Sequence, residues 1–323
     1  MLPLFFSFNL LPFKIDVREC LFTDSKTAIV INLNSFKNID KPTNYTKTTH
    51  TISDTRFEAI ISDDTEMGGA INADSSHLSI KKCLFSANQG SNGAGCFIKS
   101  SRVECFLTNF SKNTAEMSGG AAFLMNAEFF LDFCFIAECR SNNDAGAIFA
   151  DESNMIITNC NFYQNEAEND CGGIYMFDSV LNCKLVFFTQ NSCKTSLVGA
   201  AIEATNSSVG LNQCSFEQNN ANSVLHPIDG SNGTIFTIKD SCIGIDSKNL
   251  TFSHDDVSLS TDGVYFLQEC NSIDAEIPNA LEEIPIKFRI SSSFLTIGFV
   301  ISLLGVVVLP IGISISIPHV FTN

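Results

Sequence analysis

Asp144 and Asp170 stand 26 residues apart, with Glu116, Glu166 and Glu168 nearby in the sequence, and these side chains are the ones best placed to do chemistry. Carboxylates held a few ångströms apart repel unless water or a bridging Ca²⁺ takes up their charge. The group therefore reads either as a solvated acidic edge or as a weak cation site on Asp144, Glu168 and Asp170. Paired acids also cut glycosidic bonds, and acids with a basic residue serve polysaccharide lyases. Arg140 is the only base near this group and the chain has no Trp, so no catalytic residue and no cofactor is expected. His50, His77, His226, His254 and His319 share no metal-ligand spacing, and His254-Asp255-Asp256 reads as an exposed polar turn.

Stacking Asp144 on Asp170 requires elements that repeat every 26 residues, and the chain has them. Phe-x-x-Asn recurs at Phe85/Asn88, Phe110/Asn113, Phe162/Asn165, Phe188/Asn191 and Phe216/Asn219, with Phe135/Glu138 as a degenerate copy; the Phe steps are 25, 25, 27, 26 and 28. Between these copies a small-residue motif centres on Gly69, Gly95, Gly120, Gly146, Gly172 and Gly199, in steps of 26, 25, 26, 26 and 27. Two motifs keeping one period over six units define an internal repeat.

Each unit reads as three short β segments with polar corners and no helical apolar stripe, such as the alternating Asn154-Met155-Ile156-Ile157-Thr158. That pattern predicts one coil of a parallel β-helix, with coils stacked about 4.8 Å apart. Phe85, Phe110, Phe135, Phe162, Phe188 and Phe216 then form an inward aromatic column, which accounts for 29 Phe in the chain. Two residues earlier, Cys83, Thr108, Phe133, Cys160, Val186 and Cys214 read as small buried hydrophobes. The Asn column marks a corner, where Asn tolerates left-handed backbone and bonds its copy in the next coil. Gly in the small-residue motif permits a sharp turn where a Cβ would clash.

The paired Gly-Gly-Ala-Ile and Phe-x-x-Asn motifs resemble the repeat region of the chlamydial polymorphic membrane protein family and of related trichomonad surface proteins. The resemblance covers about residues 55 to 222. It implies a right-handed parallel β-helix used as an adhesin or surface antigen, and it transfers no catalytic or ligand residue.

A formal charge of −16 makes nucleic acid an unlikely partner, and 45% hydrophobic residues exclude a wholly disordered chain. Phe294 to Ile317 is 24 residues without a charge, and a helix of that length, about 36 Å, spans a bilayer core. The expected organisation is a signal-like segment or truncated first strand (1–19), a β-helix (20–275) with clear repeats at 55–222 and irregular final coils at 223–275, a stalk (276–293), one C-terminal transmembrane helix (294–317) and a short tail (318–323). Sequons at Asn44, Asn109, Asn206, Asn232 and Asn249 favour an ectodomain outside the cell, against the weak bias of Lys287 and Arg289. In an oxidising compartment Cys242 and Cys270 are the expected disulfide.

The function expected on this reading is a non-catalytic, membrane-anchored surface protein. Its partners would be a surface protein or glycan of a host or neighbouring cell, with self-association along coil edges. The alternatives are a carbohydrate-active β-helix and an intracellular tail-anchored scaffold.

Overall fold

The computed structural model describes residues 4–6, 16–23, 29–32, 49–62, 68–267, 270 and 288–290. These residues build a parallel β-solenoid whose walls are four sheets, here A to D in the order in which a coil visits them. Sheet A has nine strands, sheet B ten, sheet C eleven and sheet D seven. One coil runs through Ile148–Asp151, Asn154–Thr158, Asn161–Tyr163 and Glu166–Ala167. The sequence predicts three of these segments; the fourth, on sheet D, is only two residues long in this coil, too short for an alternation signal. Apart from the antiparallel turn-back of Asn220–Ala221 on Val224–Leu225, the strand ladders are parallel.

Side chains alternate in and out along each strand, and the inward ones stack between coils. Phe22, Phe57, Phe85 and Phe110 form one buried stack, with ring centroids 4.7 to 5.1 Å apart. Phe162, Phe188 and Phe216 form another, at 4.9 Å. The residue between them is not Phe135. The register pairs Phe110 with Ile136 and Ile136 with Phe162, so Ile136 fills the column and Phe135 faces outward. Phe133 likewise yields its expected place to Cys134, which is fully buried. The true coil steps here are 26 and 26, where Phe135 gives 25 and 27.

Three of the four corners follow one rule. A non-glycine residue takes positive φ, and the next side chain accepts the backbone N–H of the preceding coil. Between sheets C and D the left-handed residues are Ala87, Lys112, Glu138, Gln164, Gln190 and Gln218, one before the Asn column rather than the Asn residues themselves. Asn88, Asn113, Asn165, Asn191 and Asn219 are buried and bond through Nδ2 to the carbonyl oxygens of Phe57, Phe85, Ile136, Phe162 and Phe188. Cys139, not Glu138, occupies this column in the odd coil. Between sheets B and C, Thr108, Cys134, Cys160, Cys214 and Ser241 each donate to the carbonyl two residues back. Thr108, Cys160 and Ser241 also accept an N–H from the coil before. The column is buried and its cysteines are free, as expected, and its members other than Val186 also hydrogen-bond. Ser101, Ser153, Ser179 and Ser207 do the same between sheets A and B. Left-handed non-glycine backbone costs about 1–2 kcal/mol per residue, and these bonds offset it.

Gly69, Gly120, Gly146 and Gly172 align at one height before sheet A, two residues ahead of Ile71, Ala122, Ile148 and Ile174. Gly95 and Gly199 do not belong to that ladder, since Ala94 and Ala200 hold the matching places. A Cβ on Gly120 would collide with the Gly146 carbonyl oxygen and lie 2.5 Å from that of Arg140.

At the C-terminal end, Cys242 and Cys270 form a disulfide, with Cα atoms 5.7 Å apart. Within the expected stalk, Phe288–Ile290 is a strand paired in parallel with Cys20–Thr23. The apolar stretch 294–317, the tail 318–323 and Asn44 lie outside the described residues, as does most of the segment 1–19. Among the described residues no helix is long and apolar enough to cross a membrane.

Candidate functional site

The outward residue one place after the start of each sheet A strand generates a continuous column. Its members are Asn72, Phe97, Phe123, Phe149, Tyr175, Glu203 and Asp229. Phe97 and Phe123 are stacked at 5.4 Å and Phe123 and Phe149 at 4.8 Å, within 6° of parallel. Tyr175 breaks the stack, standing edge-on to Phe149 at 86° and tilted against Phe177 at 4.7 Å. Phe123, Phe149, Tyr175 and Phe177 are half-buried, so this outer row remains in contact with solvent.

Asp144 and Asp170 border that row at the corner between sheets D and A. They are one coil apart, as the sequence spacing predicts: Ala145 N–H donates to Asp170 O, and Gly119 N–H to Asp144 O. The residues that follow them, Ala145 and Cys171, take the left-handed conformation that Gly93 and Gly119 hold in earlier coils. Burial and the facing Asp170 push the Asp144 carboxyl above the usual carboxylate range. Glu168 does not join the pair. It turns to Lys194, whose Nζ lies 3.0 Å from Glu168 and 2.8 Å from Glu166.

Glu203 and Asp229 were not expected from their sequence neighbourhood, yet alignment of the Gly-Ala-Ile starts places both directly after Tyr175 in the column. Glu203 is buried, and Oε2 accepts the Gly199 N–H at 2.9 Å. Burial, then Asp229 and Asp170, raise its pKa from 4.5 to about 8, so it is protonated at neutral pH. Asp229 is fully enclosed. Its carboxylate accepts the N–H groups of Gly230 and Ser253, at 2.8 and 2.9 Å, and the Ser253 hydroxyl. Tyr175 feels burial first and then Asp170, Glu203 and Asp144, all of which hold its phenol protonated.

No family model, curated protein or solved structure matches the chain.

Several ion pairs stand elsewhere on the solenoid. Arg102 pairs with Glu104 at 2.8 Å and Glu128 at 3.0 Å, and its guanidinium lies 4.3 Å from the Phe130 ring centre. Lys112 faces Glu138, Lys248 faces Asp246 and Arg56 faces Glu58. Among the described residues no group of three His, Cys, Asp or Glu side chains comes together to hold a metal ion. His254, Asp255 and Asp256 form an exposed turn in which Asp256 accepts the Gly233 N–H at 2.9 Å.

Of the sequons, Asn109 is buried on the outer side of sheet C and closed to modification in the folded chain. Asn206, Asn232 and Asn249 are exposed. Besides the disulfide pair, eleven cysteines are free, and all but Cys20 are buried. Burial raises the Cys83 and Cys139 thiols to about 12, leaving them unreactive near neutral pH.

Proposed function

We propose that the chain is a non-catalytic recognition solenoid, displayed outside the cell and held to its membrane by the apolar stretch 294–317. The observation that carries this reading is the outer face of sheet A, where half-buried aromatic side chains run in a row beside carboxylates that form no ion pair among the described residues. Such a face binds by shape and charge. The Cys242–Cys270 disulfide supports an oxidising compartment, and the exposed sequons at Asn206, Asn232 and Asn249 suit the same location. The resemblance of the repeats to polymorphic membrane proteins points the same way, toward an adhesin or surface antigen. A protein partner fits the aromatic row better than a glycan does. Rings stacked at 4.8–5.4 Å cover one another's faces, and a sugar needs an open face to lie on.

The test is surface labelling of intact cells that carry an epitope inserted after Asn232. Asn232 is exposed and the adjoining Gly233 has open space around it, so this turn is where the epitope is placed. Labelling without permeabilisation, with an endoglycosidase mobility shift, is the expected result. Labelling only after permeabilisation, without a shift, overturns the reading in favour of an intracellular tail-anchored scaffold.

One observation favours a second reading, a carbohydrate-active β-helix. Glu203 is a protonated carboxyl directly beside Asp229 in the ladder, the composition of a general acid with a partner carboxylate. Both are nearly sealed from solvent, and Asp229 is bound to Ser253. This reading requires release of reducing sugar ends from an acidic polysaccharide, abolished by Glu203→Gln.

A further inference from the structure

We propose that the outer face of sheet A between Phe123 and Tyr175 docks an extended lysine- or arginine-rich segment of a partner protein. The inference rests on the recognition reading and names the chemistry of its partner.

Three features of the face select a cationic occupant. First, carboxylates stand on both margins of the aromatic row: Asp144 and Asp170 at the corner with sheet D, Asp151 in the second outward column, which also holds Phe177. None of these three forms an ion pair among the described residues, whereas Glu58, Glu104, Glu128, Glu138, Glu166 and Glu168 are met by Arg56, Arg102, Lys112 and Lys194. The nearest cation in the second outward column is Lys99, two coils from Asp151 through Met125. Three carboxylates flanking one aromatic row are thus left without an ion pair among the described residues.

Second, the floor between the margins is apolar and partly exposed, made of Phe123, Phe149, Tyr175, Phe177 and Met125. Lysine and arginine stems bury their methylenes on such a floor while their charged heads reach the margins. A small inorganic cation has no use for that floor, and no ligating triad is present for it among the described residues.

Third, the margin at the corner with sheet D runs along the solenoid axis, because Asp144 and Asp170 are one coil apart. The complementary object is therefore elongated. An extended basic segment lying along the axis meets both aspartates and runs beside the aromatic row. Asp170 gains most from such a partner, since no side-chain hydrogen bond engages it, while Asp144 Oδ2 already accepts from Asn143 Nδ2 at 2.8 Å.

The experiment measures binding of a fluorescein-labelled oligolysine to the full chain by anisotropy at about 0.15 M salt, where long-range attraction to the net negative charge is screened. Asp144→Asn together with Asp170→Asn is expected to weaken binding about tenfold. Phe149→Ala, which changes no charge, is expected to weaken it about threefold through loss of the floor. Glu138→Gln together with Glu217→Gln removes the same formal charge from another face and is expected to leave affinity within about twofold. The circular dichroism of every variant is matched to the parent before binding is compared. Equal weakening by the two charge pairs, or no saturable binding by the parent, overturns the proposal. Surface labelling with an epitope after Asn232 is read separately, so a chain that is displayed but ignores oligolysine discards this face and leaves the recognition reading standing.

Discussion

Asn165 donates from its side-chain amide to Asn191 Oδ1 at 2.9 Å, and its backbone N–H donates to the same oxygen at 3.1 Å. Asn191 in turn gives Nδ2 to Phe162 O at 2.9 Å and to Asn219 Oδ1 at 3.0 Å. One buried amide therefore satisfies groups in the coils on both sides of it. This is how the solenoid turns its corner without leaving polar atoms bare.

Removing that amide should be costly. Asn191→Ala strands two donors of Asn165 and takes the side-chain donor from Phe162 O, in a place closed to water, while Asn219 Oδ1 keeps the backbone N–H of residue 191; the expected loss is about 3 kcal/mol. Gln190→Ala, one residue earlier in the exposed row where Gln164 Nε2 bonds Gln190 Oε1 at 2.7 Å, should stay within about 1 kcal/mol. Urea denaturation of both variants measures the difference, and equal losses would show that the buried amides are not special.

The Asn ladder has one irregular rung. Asn113 Nδ2 donates to Phe85 O at 3.0 Å like its counterparts, but toward the next coil it meets the Cys139 sulfur at 3.8 Å, where they reach an amide oxygen at 2.9–3.0 Å. Cys139→Asn should complete the ladder and stabilise the chain by about 1 kcal/mol. The check is a higher midpoint in thermal unfolding. A fall in stability would mean that the corner at Cys139 has no room for the larger side chain.

These two rungs show what the sequence makes legible. Phe and Asn at a common spacing reveal the period because each coil has one place for a large ring and one for a buried amide. The register fails at Phe135, where a second Phe beside Ile136 imitates the motif one residue early. The Cys, Thr and Ser of the corner columns vary in type while keeping one hydrogen-bonding role, so residue identity hides them. Asp144 and Asp170 are legible as a pair through their 26-residue spacing, whereas Tyr175, Glu203 and Asp229 share a face through strand register and differ in chemistry. The Glu168 and Lys194 pair crosses coils, and no local motif marks it.

Gly120 tests coil stacking directly. A Cβ there would press on the Gly146 carbonyl oxygen and on Arg140 backbone atoms, and neither can yield without parting the coils. Gly120→Val is expected to lose more than about 4 kcal/mol, which leaves little folded protein. Gly233→Ala is the comparison: its φ is +76° with open space around it, so the loss is confined to about 1–2 kcal/mol of backbone strain. Soluble yield and thermal midpoint report both, and an undisturbed Gly120→Val would contradict the stacked geometry.

Glu203 gives the fold a dependence on pH with a defined sign. Its carboxyl is raised from 4.5 unfolded to about 8 folded, by burial first and then by Asp229 and Asp170, so the folded chain holds a proton that the unfolded chain releases. The stabilising contribution is complete below about pH 4.5 and is lost as pH rises through about 8. Asp144, raised by burial and Asp170, contributes with the same sign. Glu203→Gln keeps a neutral side chain able to accept the Gly199 N–H at every pH. The thermal midpoint of the variant should therefore fall less than that of the parent between pH 5 and pH 8, with the two closest at the acid end. Parallel curves across that range would show that Glu203 is ionised in the folded chain, and the carboxyl beside Asp229 would then need a cation or a solvent path to hold its charge.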